Sequence, residues 1–191
     1  MGRKLPVITL LPASHEEIVT RYIVEKRLRA QQEREFYAQL PTIAEAARQA
    51  ALALTPEGKR HSHQSPFRVS QQTLDAWAER VLANLDWLAS AQAFEELHSR
   101  LASLRFQRVG PLIVYDTAYR LGAKLGLEPR LVYLHRGTLD GAVLLGFSKK
   151  QRTLEPGELP PAYRALRPYE IEDCLCMYKK DIARIVGATS K

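Results

Sequence analysis

The sequence predicts an all-α protein: a multi-helix, bundle-like domain with a long N-terminal helix and a helix-hairpin-helix-like element. Three observations predict it. Apolar residues recur at three- and four-residue intervals through most of the chain, capping sequences precede those runs, and no segment alternates convincingly in the two-residue period of a half-buried strand. Two parts are expected, an N-terminal helical region and loop over residues 1–68 and a C-terminal helical domain over residues 69–191.

Ser14-His15-Glu16-Glu17 reads as a capping box, with the Ser14 hydroxyl accepting from a backbone N–H three residues on and Glu17 reaching back to the Ser14 N–H. One long helix is expected from there to about Gln39. Its second half, Glu25 to Glu35, is nearly all polar and is expected to project into solvent, the alternative being a partner surface with few apolar contacts. Thr42-Ile43-Ala44-Glu45 repeats the box and starts an Ala-rich helix to about Leu54. Residues 55–68, with Pro56, Gly58 and Pro66, read as a loop. Ser70 or Gln71 opens a helix whose Leu74, Trp77, Val81, Leu85 and Leu88 form one buried face, and both Trp77 and Trp87 are expected in the core.

A further helix is expected from Ser90 to Leu104 with Phe94, Leu97, Leu101 and Leu104 inward. Pro111 suits the first turn of the next helix, which has no intrahelical use for its N–H. That helix runs to about Leu125 and carries Asp116 and Arg120 at i,i+4 in the favourable order. Ala118, Gly122 and Gly126 make a stripe without bulk along it. Glycine in a helix costs about 1 kcal/mol relative to Ala, so close packing or a ligand is expected there. Residues 130–135 read as helix or extended chain, Thr138 as the cap of a short helix to Leu145, and residues 148–161 as a basic, proline-rich loop. A last helix is expected from Pro168 to Val186, with Ile171, Leu175, Tyr178, Ile182 and Ile185 inward; Glu170, Glu172 and Asp173 at its start suit the positive end of the helix dipole.

The chain has 191 residues, 46% hydrophobic and 26% charged, with a mean hydropathy of −0.27, a composition that excludes disorder and fibre. No apolar stretch approaches the ~20 residues of a membrane span, so no membrane partner is expected. Met1 to Leu11 only faintly imitates a signal peptide, and a cytoplasmic location is expected. Cys174 and Cys176, two residues apart on a helix, point in different directions and read as buried thiols rather than a disulfide or metal pair. His61 and His63 could face one metal, but no nearby Cys or carboxylate completes a site; no metal and no cofactor is called for.

The net charge of +7 is unevenly spread. Residues 1–97 carry 12 basic against 12 acidic side chains and residues 169–191 carry 4 against 4, whereas residues 98–168 carry 12 against 5. The whole excess lies in one segment, the footprint expected of a surface for an acidic partner such as nucleic acid. Tyr115, Tyr119 and Tyr133 lie within it and could stack bases, or pack partly buried. His135-Arg136-Gly137-Thr138 near Asp140 could form a phosphate-binding turn with a histidine acid or base, the plainer reading being a helix cap.

Within that segment, Phe106-Gln107-Arg108-Val109-Gly110-Pro111 joins two helices, Thr117-Ala118 follows, and Val132-Tyr133-Leu134-His135 lies downstream. Residues 97–135 thereby resemble the helix-hairpin-helix element of the base-excision DNA glycosylase superfamily, whose Gly-containing hairpin holds phosphate with backbone amides and whose downstream motif supplies a catalytic Asp. The resemblance covers about a fifth of the chain. It departs from the pattern in three places: Arg108 replaces the first hairpin glycine, Thr117-Ala118 lies about one turn further along, and Tyr133 replaces the Asp. A phenol cannot stabilise an oxocarbenium-like centre as a carboxylate does, so that catalytic role does not transfer.

The expectation is a protein that binds nucleic acid, DNA before RNA, with Arg105, Arg108, the Gly110 amide, Lys149, Lys150 and Arg152 on phosphates. Two alternatives stand beside it. One is a protein-interaction subunit of a larger complex, with the glycine stripe and the polar first helix meeting partner helices or a second copy. The other is a nucleic-acid-processing enzyme with His135 as its acid or base.

Overall fold

The computed structural model describes residues 11–61 and 68–189, and among these the regular secondary structure is helical except for one pair of two-residue strands and an isolated bridge between Leu54 and Arg60. The elements are α1 (His15–Glu25), α2 (Arg27–Gln39), α3 (Ile43–Ala51), α4 (Gln71–Ala83), α5 (Leu85–Ala89), α6 (Phe94–Ser103), α7 (Pro111–Leu125), β1 (Val132–Tyr133), α8 (Arg136–Leu144), β2 (Thr153–Leu154), α9 (Pro168–Met177) and α10 (Lys179–Thr189). No helix among the described residues is long and apolar enough to cross a membrane. Met1 to Leu10, His63 and Pro66 lie outside the described residues.

Ser14, Thr42 and Ser70 start helices where expected, but neither box closes on its own cap: the Glu45 carboxylate accepts from Gln49 at 3.2 Å. Ser14 accepts from the Glu17 N–H at 3.3 Å, but the Glu17 carboxylate takes the Ala13 N–H at 2.8 Å rather than that of Ser14. Thr42 and Ser70 cap α3 and α4 through their hydroxyls. Pro111 stands at the first turn of α7, and Gly126 ends that helix at φ +72°, the left-handed region open to glycine.

Three expected helices are broken. The long N-terminal helix divides at Lys26 (φ −124°), the helix after Ser70 divides at Asn84, and the last divides at Tyr178. The break at Lys26 re-aims the chain from the last helices to α7, which periodicity alone does not reveal. Residues 130–135 supply β1, which pairs antiparallel with β2 in the register Val132 with Leu154 and Tyr133 with Thr153.

Two hydrophobic clusters hold the fold. One joins Tyr37 and the alanines of α3 to Leu74, Trp77, Val81, Phe94, Leu97, Leu101 and the apolar face of α7. The other joins Ile18, Val19 and Tyr22 of α1 to Val132, Leu154, Tyr163, Ile171, Leu175 and Ile182. Both therefore take side chains from each side of residue 68. Trp77 is fully buried, its Nε1 donating to Thr117 at 3.0 Å. Trp87, expected in the core, is instead 44% exposed beneath the Arg100 guanidinium.

The polar half of the N-terminal helix turns one face to solvent, with Glu25, Leu28, Arg29, Gln31, Gln32 and Glu35 exposed, and rests the other on the protein. Arg27 forks onto Glu170 at 2.7 and 3.0 Å. The Arg34 guanidinium lies 5.1 Å from the ring centre of Tyr119 and 5.2 Å from that of Tyr169, and Glu33 accepts from Arg120 at 3.1 Å. These contacts dock α2 over α7 and α9 through charge and aromatic faces, so the sequence shows no apolar stripe for the interface.

Candidate functional site

Between α2, α7, α8 and α9 lies a cavity of about 1000 Å³. α7 contributes Leu112, Tyr115, Asp116, Tyr119 and Arg120; α9 contributes Tyr169, Glu172, Asp173 and Cys176; His135 and Gly137 enter from the start of α8. Asp116, Arg120, His135 and Glu172 are buried, and Asp173 is half-buried beside them. Lys26, Arg29, Arg68, Arg136 and Lys179 are the exposed or half-buried Lys and Arg lining the same cavity, so its opening is basic and its floor mixes carboxylates with donors.

The floor is built by local sequence. Residues at i, i+1, i+4 and i+5 of one helix share a side, which turns Tyr115, Asp116, Tyr119 and Arg120 to the cavity. The i,i+4 pairing expected for Asp116 and Arg120 is not the bond that Arg120 makes: its Nε goes to Glu33 on α2, and Asp116 acts on it through charge. His135 is the residue before the first turn of α8, held there by the β1–β2 pair, since the Leu134 N–H donates to Arg152 O at 2.8 Å. Its Nε2 lies 2.8 Å from a Glu172 oxygen, which also accepts from Thr138 at 2.5 Å. Thr138 is thus spent on Glu172 and does not cap the helix. Gly137 and Gly141 bring α8 onto α9: a Cβ at Gly141 would stand 2.2 Å from the Leu175 carbonyl oxygen.

The electrostatics of the floor oppose one another. Burial disfavours a charged His135, but the adjoining Glu172, with Asp116 and Asp173, outweighs it and holds the imidazole above its ordinary pKa. Asp173 is pushed well above the usual carboxylate range by burial and then by the Glu172 charge, against the opposing hydrogen bond that Tyr22 donates to it at 2.8 Å. The same burial and carboxylates raise the Cys176 thiol to about 11, so it is no thiolate nucleophile at neutral pH. Among the described residues no group of three or more His, Cys, Asp or Glu is placed to hold a metal ion.

Sequence reasoning placed His135 in a site but gave Glu172 and Asp173 only to the dipole of the last helix. The structure turns both into the cavity, while Glu170 is buried against Arg27. A carboxylate run at a helix start looks the same in sequence whether it meets water or a cavity. The glycine stripe meets the protein itself: Gly122 packs at 3.3 Å from Phe94, measured from its would-be Cβ, and Gly126 is the helix cap.

The other expected contacts lie apart from the floor. Arg105, Arg108 and Gly110 line a shallow concavity of about 420 Å³ formed by residues 105–110 at the start of α7. Arg108, where the glycosylase pattern has glycine, adopts φ +76°. Lys149 and Lys150 are exposed on the loop before β2, whereas the Arg152 guanidinium turns back on the carbonyls of Lys149 and Gln151. No hydrogen bond or ion pair among the described residues joins these two groups. Tyr133 stands in an aromatic cluster with Phe94, Tyr115 and His98.

No family model, no curated protein and no solved structure matches this chain.

Proposed function

We propose that this protein processes nucleic acid, holding a phosphate backbone on its basic segment and carrying out acid–base chemistry at His135 in the cavity beside α7. One observation carries the reading: His135, Glu172, Asp173 and Asp116 converge on the floor of a large cavity whose opening is lined by five Lys and Arg side chains. Crowding carboxylates out of water is unfavourable for folding, and groups with strongly displaced proton affinities in a cleft mark functional sites.

The chemistry follows from the neighbours. Glu172 charges the imidazole, which then delivers or takes a proton near neutral pH. Asp173, retaining its proton, can donate where an ordinary carboxylate would only accept. The resemblance of residues 97–135 adds a second support, since the left-handed Arg108 puts the chain into a conformation that glycine adopts freely in such hairpins. Phosphate would lie on Arg105, Arg108 and the Gly110 amide, with Lys149 and Lys150 as a separate contact. The glycosylase acid position is Tyr133, packed among aromatic rings, so the chemistry proposed rests on His135.

The test uses labelled single- and double-stranded DNA and RNA with the purified protein. Binding should weaken with salt by a slope of about 0.9 per neutralised phosphate on duplex DNA. The double change Arg105→Ala, Arg108→Ala should lower affinity by roughly 1.5–3 kcal/mol at low salt with little change in melting temperature. His135→Ala should abolish product formation and leave binding largely intact. Absence of any complex at low salt would remove the reading.

A second reading has its own observation. Val24 and Leu28, 77% and 65% exposed on either side of the α1–α2 break, are large apolar side chains in water. They favour a protein partner or a second copy at the N-terminal helices, which light scattering after gel filtration would detect as a mass above that of the monomer.

A further inference from the structure

We infer that the unit entering the cavity is a single unpaired nucleotide, its phosphate at the opening and its heterocycle on the floor; this names the substrate of the site proposed above and rests on that reading. The floor holds two buried donors without an acceptor. Arg120 is 3% exposed and its Nη1 has no hydrogen-bond partner, and His135 is 8% exposed with Nε2 likewise unsatisfied. Glu172 is close enough to His135 for charge but off the line of its N–H. An unsatisfied buried donor destabilises a fold by about 1–3 kcal/mol, so a site that retains two of them is arranged for an acceptor that arrives from outside.

That acceptor is uncharged. Arg120 is already balanced by Glu33 and Asp116, and His135 by Glu172. A phosphate on the floor would add negative charge beside the Asp116 and Glu172 carboxylates. A heterocycle with ring nitrogens, oxo and amino groups answers both needs: its acceptors satisfy Arg120 and His135, and its N–H groups donate to the carboxylates. Tyr115, Tyr119 and Tyr169 give the aromatic walls such a ring packs against.

The opening has the complementary charge. Lys26, Arg29, Arg68, Arg136 and Lys179 ring it, and Lys179 is tied to a carboxylate at the rim, Asp140 at 3.1 Å. Cations outside and balanced polar groups inside fit a molecule with an anionic end and a neutral polar end. A base paired in a duplex keeps its polar edge engaged, so only an unpaired nucleotide reaches the floor.

Calorimetric titration at fixed ionic strength with the four common nucleoside 5′-monophosphates, their nucleosides and inorganic phosphate tests this. At least one monophosphate should bind about tenfold tighter, or ~1.4 kcal/mol, than both its nucleoside and phosphate. Arg29→Ala with Arg136→Ala should bring the monophosphate down to its nucleoside, and leave the nucleoside unchanged. His135→Gln should weaken both, with the melting temperature of each variant confirming the fold. Phosphate binding as tightly as the monophosphates would overturn the inference, and so would the absence of monophosphate binding at millimolar concentration. If strands still shift in gels while no monophosphate binds, the nucleotide assignment alone fails. Monophosphate binding without any complex with strands would instead remove the nucleic-acid reading and leave a mononucleotide site.

Discussion

His135 and Asp173 both hold a proton more tightly in the folded chain than in the unfolded one. For a raised pKa the stability contribution is complete below the unfolded value and is lost as pH rises through the folded one. His15 and His98 are displaced downward by burial, His98 to about 4, and so act in the opposite sense, below about pH 6.5. Between about pH 6.5 and 8 the melting temperature should therefore fall, by about 2–4 °C for each kcal/mol lost. Asp173→Asn keeps an acceptor for Tyr22 and removes the carboxyl, so it should raise the melting temperature at pH 8 and flatten the decline. An undiminished slope in that variant would show that Asp173 does not titrate in this range. Arg108 offers a second residue-scale check. Its left-handed backbone costs a side chain about 1–2 kcal/mol, which offsets the greater chain entropy that glycine loses on folding. Arg108→Gly should hold or raise the melting temperature and Arg108→Val should lower it; equal losses in both would mean the turn relaxes to another conformation.

At the scale of elements, the decisive contact is the crossing of α8 over α9, because it puts His135 beside Glu172. Gly141 meets the Leu175 backbone, which cannot step aside. Gly141→Ala should destabilise by about 1–3 kcal/mol, the range for overpacking, and displace His135, visible in the chemical shifts of its ring. Gly137 meets only the Cys176 sulfur, at 2.5 Å from a would-be Cβ, so Gly137→Ala should be restored by Cys176→Ala. If the second change brought no recovery, the two helices would be held apart by something other than that sulfur. The docking of α2 is of another kind, made by Arg27, Glu33 and Arg34 on Glu170, Arg120, Tyr119 and Tyr169. A polar helix closes one wall of the cavity with few apolar contacts of its own.

For the whole molecule, the two cores interlock across the expected boundary at residue 68. A fragment of residues 69–191 lacks Tyr37 and the α3 alanines from one cluster and Ile18, Val19 and Tyr22 from the other. It should show little cooperative unfolding by circular dichroism, while the full chain melts sharply. A sharp melt of the fragment would show that α1 to α3 are accessory to the fold. The same interlocking explains why the cavity needs the N-terminal helices: Glu33 on α2 is the hydrogen-bonded partner of Arg120, and Tyr22 on α1 orients Asp173.

The sequence by itself determined the helical class, the cap positions at Ser14, Thr42, Ser70 and Pro111, and the inward faces of α4 and α6, because these depend on spacing within one segment. It also located the charge excess and marked His135. What the tertiary structure decided is where segments meet. The breaks at Lys26, Asn84 and Tyr178, the exposure of Trp87, the docking of one face of α2, and the convergence of Glu172, Asp173, Asp116 and Arg120 all arise from contacts between residues far apart in sequence. A carboxylate on a helix has the same local pattern whether it faces solvent or a cavity. Only the packing of α2 and α8 against α7 and α9 removes water from these groups, and that removal is what raises the proton affinity of Asp173 and leaves Arg120 and His135 with donors to satisfy.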